Sequence, residues 1–134
     1  MEGYVDEELL SIVEIDILGS DGRFHATPAL LDTGCNLSLV LPKYLLTKYR
    51  LKVEGNTSFR PLGGTTVETD ACRVTVKWLG QEFNVDAAVI DRDDVPPIIG
   101  MEMCQNVEIN VQMKINGRVW LARMANDSSE VETP

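Results

Sequence analysis

Hydrophobic and polar positions alternate with a period of two along much of this chain, the spacing of strands that bury one face. Residues 9–16 and 24–31 read as strands, and Gly19-Ser20-Asp21-Gly22 between them carries turn chemistry, so the pair is a hairpin. An apolar stretch at 37–41 meets Pro42, which suits a helix N-terminus. Residues 43–49 are long enough for two helical turns, with Gly55-Asn56 as the break. β-Branched residues recur in alternation over 65–76, Trp78-Leu79-Gly80-Gln81 turns the chain, and 82–90 alternates again as the second arm of a hairpin. The polar run Asp91-Arg92-Asp93-Asp94 leads to Val95-Pro96-Pro97, where two prolines stop any ladder. After Ile98-Ile99-Gly100 comes a single helical turn at 101–105, then strands at 107–111 and 118–121 around Asn116-Gly117, a hairpin signal. Many short strands spaced by turns, with one short helix, predict an all-β chain folded as a small closed or sandwiched sheet.

At 134 residues the chain fits one domain with one core. Its expected division is an acidic N-terminal segment at 1–8, the domain at 9–125, and a disordered acidic tail at 126–134. Twelve basic against 21 acidic residues leave a net charge of −9, which argues against nucleic acid as a partner, because phosphate contacts need a cationic footprint. No run approaches the roughly 20 apolar residues of a membrane helix, and the first residues are acidic where a signal peptide is basic and then apolar. A cytoplasmic protein with no membrane partner is expected. Cys35, Cys72 and Cys104 are odd in number and form no C-x-x-C pair, so neither a disulfide framework nor a zinc site is signalled, and no metal or cofactor is expected. The single histidine, His25, lies beside apolar residues of a strand and reads as a structural or surface residue. Ser-His-Asp and Cys-His chemistry is thereby excluded unless His25 itself serves.

Two elements stand out: Ala29-Leu30-Leu31-Asp32-Thr33-Gly34 and Pro97-Ile98-Ile99-Gly100, each an apolar strand ending in glycine. With the Ser38-to-Pro42 segment after the first, this pattern resembles the retropepsin-like aspartic proteases. It looks closest to the single-domain microbial branch, where Asp-Thr-Gly-x-Asn runs into a Leu-Pro element. The resemblance covers about residues 10–121. It implies a small closed barrel-like retropepsin (acid protease) fold, homodimeric, with Asp32 as the catalytic carboxylate and Thr33 bonding across the dimer axis. Gly34 permits the tight turn under the carboxylate. Ile98, Ile99 and Gly100 pack behind the site, with Asn36 on its wall, and a flap hairpin carrying Leu62, Gly63 and Gly64 closes over a polypeptide substrate. This chain departs from the pattern at Cys35, where Ala or Ser usually follows the glycine. It departs again where viral members pair an aspartate with an arginine: those positions hold Asn36 and Met101, so no lone charge is stranded.

The chemistry follows independently of the resemblance. Hydrolysis by activated water needs a base for the water and an acid for the leaving nitrogen, and two adjacent carboxylates sharing one proton supply both. The chain has one Asp-Thr-Gly, so the second carboxylate must come from another copy across a two-fold axis. The expected function is an aspartic endopeptidase acting on extended polypeptides through an Asp32 dyad at a homodimer interface. The alternative is a catalytically silent dimerisation or peptide-binding module on the same fold.

Overall fold

The protein is described here by a computed structural model over residues 1–59, with Phe59 as backbone alone, and 64–124. The predicted tail at 126–134, and Leu62 and Gly63 of the expected flap, lie outside these described residues. β1 (Glu2–Val5) is followed by the hairpin of β2 (Ser11–Leu18) and β3 (Phe24–Leu31). β4 (Leu39–Pro42) runs directly into α1 (Lys43–Tyr49), and β5 (Asn56–Phe59) precedes the long hairpin of β6 (Val67–Trp78) and β7 (Gln81–Ile90). The two-residue β8 (Ile98–Ile99), a 3₁₀ turn at Met101–Cys104, and the hairpin of β9 (Val107–Val111) and β10 (Arg118–Arg123) complete the described chain.

The strands form one sheet in the order β5-β6-β7-β4-β8-β3-β2-β1-β10-β9. A further pairing, Asp16 opposite Lys77 and Ile17 opposite Val76, joins β2 to β6. The order from β2 through β3, β8, β4 and β7 to β6 therefore returns on itself, which lets one face of each strand line a common interior. The period-two pattern selects those faces. Val13, Ile15 and Ile17 of β2, Ala29 and Leu31 of β3, and Val74, Val76 and Trp78 of β6 are buried together, closed by Leu45 and Leu46 of α1 and Met103 of the 3₁₀ turn.

Trp78 is fully buried, and its indole N–H donates to the Met103 carbonyl at 3.0 Å. Trp78→Phe removes both indole volume and that donor, and is expected to cost about 2 kcal/mol or more in denaturant-unfolding stability. An unchanged denaturation midpoint would mean that neither the volume nor the donor is needed.

The β6–β7 turn falls where the sequence places it: Leu79 and Gly80 both take positive φ, 49° and 78°, between Trp78 and Gln81, which pair across the turn. Other boundaries differ for identifiable reasons. α1 spans the predicted residues but ends on Arg50 in the left-handed conformation, φ 55°, and not at Gly55. Residues 1–8, set apart in the sequence by their acidity, supply β1 within the sheet between β2 and β10, with Val5 fully buried. β5 has no clear sequence signal. Asn116-Gly117 does not form a two-residue turn. It closes a longer loop at 112–117 that is tied to β1, where Val5 N–H donates to Gly117 O at 2.8 Å and Asn116 N–H to Val5 O at 2.9 Å.

Candidate active site

β3 carries the chain to Asp32 and ends there because the next residues turn sharply. The Gly34 N–H donates to Asp32 Oδ1 at 2.9 Å, and the Cys35 N–H donates to the Asp32 carbonyl at 3.2 Å. The aspartate side chain thus caps its own loop, an Asx-type arrangement that fixes the carboxylate against the backbone. Asp32 is half-buried, and Thr33 and Gly34 are exposed. Its Oδ2 accepts no hydrogen bond among the described residues.

β8 sits between β3 and β4 and holds this loop from below. It runs parallel to β3, Leu30 opposite Ile98 and Leu31 opposite Ile99, and antiparallel to β4, Leu39 opposite Ile99. Backbone bonds continue past the strand ends: Asp32 N–H to Ile99 O at 3.0 Å, Gly100 N–H to Ser38 O at 3.0 Å, and Met101 N–H to Cys35 O at 2.7 Å. Gly100 is required for space. A Cβ there would lie 1.8 Å from Leu37 O and 2.8 Å from Cys35 O. Two segments far apart in sequence are thereby stitched into one platform carrying a single outward carboxylate.

Ile99 is fully buried behind the platform, and Leu30 and Ile98 are half-buried in register with each other. Asn36 and Met101 are both exposed, so replacing the viral charge pair leaves no buried charge here. Cys35 is half-buried. Burial pushes its thiol up, and the nearby Asp32 charge adds to that against a bond from the Leu37 backbone, which favours the thiol over the thiolate. Cys72 and Cys104 are buried in the core, where burial likewise raises them. β5 and β6 pair with Phe59 opposite Val67, and of the expected flap residues Gly64 is described, as an exposed bend. A concavity of about 530 Å³ elsewhere, lined by Glu14, Asp16, Trp120 and Arg123, contains neither Asp32 nor Ile98. No group of three metal-ligating side chains occurs among the described residues, and none of their helices is long and apolar enough to cross a membrane.

Neither a protein-family model nor a curated protein sequence matches this chain. Solved structures do. The EIAV protease, determined with the inhibitor HBY-793, superposes with a TM-score of 0.54 at 26% identity over 70% of this chain and 84% of its own. A retropepsin-like aspartic protease from Rickettsia conorii superposes with a TM-score of 0.53 at 16% identity over 93% of this chain and 92% of its own. The fold is retropepsin-like.

The Rickettsia protein's coverage of this retropepsin-like chain exceeds that of the EIAV protease, 93% against 70%. Sequence reasoning placed Leu37 and Ser38 in a segment beside the motif but gave neither a role at the site, where their carbonyls crowd and anchor Gly100. Their role is carried by backbone atoms, which leave no side-chain signature.

Proposed function

We propose that the protein is an aspartic endopeptidase whose active form is a homodimer, with Asp32 and Asp32 of the partner subunit sharing one proton. The observation that carries this reading is the platform of β3 and β8, which presents one braced, half-exposed Asp32 carboxylate per chain. The likeness to the EIAV protease supports the same chemistry. One carboxylate takes a proton from water as its oxygen attacks the peptide carbonyl. The other gives its proton to the substrate, and proton return to the amide nitrogen lets the C–N bond break. Thr33, exposed beside the carboxylate, is suited to bond across the two-fold axis, and the β5–β6 hairpin to cover the substrate as a flap. Leu30 and Ile98 offer an apolar wall beside the scissile bond.

The test is hydrolysis of a peptide library with sizing of the protein in solution, followed by a pH profile on a cleaved peptide. Because the dyad works with one shared proton, kcat/KM is expected to be highest in acid and to fall about tenfold per pH unit once that proton is lost. Full activity at alkaline pH would contradict the dyad. One surface carboxylate carries a small pH-dependent stability contribution of its own. The Arg23 backbone N–H and then His25 hold Asp21 below its ordinary 3.8. A carboxylate depressed on folding adds stability above its unfolded value, and that contribution is lost as pH falls through the folded one.

A further inference from the structure

Charge is unevenly distributed along this acidic chain. Residues 33–53 contain no Asp or Glu, yet they hold four bases, Lys43, Lys48, Arg50 and Lys52. The fold brings two of them to one pocket. At the C-terminal end of α1, Lys48 and Arg50 line a cavity of about 400 Å³ with Ser20, Asp21, His25 and Tyr49.

This pocket has a fixed floor. The Tyr49 hydroxyl is hydrogen-bonded to the buried Thr27 hydroxyl at 2.9 Å, and the His25 ring stacks on Tyr49 with centroids 4.7 Å apart and planes 16° from parallel. Helix C-termini ordinarily repel anions through their free carbonyls. Here three of the four terminal carbonyls are occupied: Arg50 N–H donates to Thr47 O, Leu51 N–H to Leu46 O, and Ser20 N–H to Tyr49 O. The one acid in the wall, Asp21, is already engaged by His25 Nε2 at 2.9 Å and by the Arg23 N–H at 3.0 Å. Arg73, Arg92 and Arg118 each pair with a carboxylate, whereas Lys48 and Arg50 have none within ion-pair distance among the described residues. On its other side Lys48 borders a concavity that includes Asp93 and Asp94, and Asp94 is held by Arg92.

We propose that this pocket is an exosite that binds the carboxylates of an acidic polypeptide segment and so selects which extended chains reach Asp32. The inference rests on the peptidase reading for its purpose, and its geometry sets a spacing. His25 precedes Asp32 by seven positions on and just beyond β3, about 23 Å at roughly 3.3 Å per residue. A substrate held in both places needs about seven extended residues or more to reach from one to the other, so the recruiting carboxylates belong at least about seven residues from the scissile bond. A chain of net charge −9 disfavours such a segment elsewhere, which makes Lys48 and Arg50, without a carboxylate partner among the described residues, selective.

The test uses the full chain carrying Asp32→Asn and two fluorescein-labelled peptides with a common cleavable core. One has three glutamates about seven residues from the scissile bond, and the other has glutamines there. The glutamate peptide is expected to bind roughly three- to tenfold tighter by fluorescence anisotropy at low salt, and to lose that advantage at high salt. Adding K48Q/R50Q removes the advantage and leaves the glutamine peptide's affinity unchanged. Lys48→Glu alone gives the same reading if the double variant does not fold. Equal affinity for the two peptides, or an advantage that survives these substitutions, overturns the exosite. Turnover is read separately on the unsubstituted protein: failure to cleave either peptide would count against the peptidase and leave the binding result standing.

Discussion

Asparagine in place of Asp32 is expected to lower peptide hydrolysis by at least about a thousandfold, with melting temperature and oligomeric state almost unchanged. The size follows from the role. In the proposed dyad the pair is both base and acid, and a positioned proton-transfer group contributes on the order of 10² to 10⁴ in rate. An amide can do neither task. The structural neutrality follows from geometry: the side-chain oxygen of asparagine can still accept the Gly34 N–H that Asp32 Oδ1 accepts at 2.9 Å. Measured kcat/KM and thermal melts of both proteins decide it. Residual turnover within tenfold of the unsubstituted protein would place the chemistry elsewhere.

Gly100→Ala is expected to be the most damaging single methyl group that can be added near the site. Gly100 has φ −96° and ψ 179°, extended backbone that any residue adopts, so the constraint is space and not conformation. The new Cβ would sit 1.8 Å from Leu37 O. That oxygen belongs to a loop fixed on both sides, since Cys35 O accepts from Met101 and Ser38 O from Gly100 itself. Relief requires β8 to move away from the Asp32 loop, breaking the bonds that orient the carboxylate. A loss of about 3 kcal/mol or more is expected, a fall in melting temperature on the order of 10 °C, together with loss of activity. A comparison with Gly34→Ala separates crowding from proximity, because a Cβ there meets only Asp32 Oδ1, at 3.2 Å. If both variants melt like the unsubstituted protein, the platform is looser than its hydrogen bonds imply.

The elements most visible in the sequence were those whose signals are local. β3 at Phe24–Leu31, α1 after Pro42 and the Leu79-Gly80 turn each depend on alternation, a fixed proline φ, or a residue that tolerates positive φ. β1 was hidden because a strand at the start of a chain needs few apolar residues when both neighbours hydrogen-bond it, and Val5 alone is buried there. The loop at 112–117 was hidden because its shape answers to β1, more than a hundred residues earlier in the chain. At the site, Asp32-Thr33-Gly34 and Ile98-Ile99-Gly100 were readable as a pair of glycine-ended strands. That β8 inserts between β3 and β4 was not, since strand order is a property of long-range pairing. The basic pocket beside Tyr49 was equally out of view, because His25 and Lys48 come from elements that meet only in the folded chain.

One Asp32 per chain makes the proposed dimeric site directly testable. A mixed dimer of unsubstituted and Asp32→Asn chains has one carboxylate and cannot complete both proton transfers. Chains unfolded together in varied proportion and refolded should pair at random across the two-fold axis, so activity per total protein should follow the square of the unsubstituted fraction. At equal mixing roughly a quarter remains. With dimerisation verified by sizing at each ratio, a parabola through that point is the predicted result, and a straight line proportional to unsubstituted content would contradict a shared site.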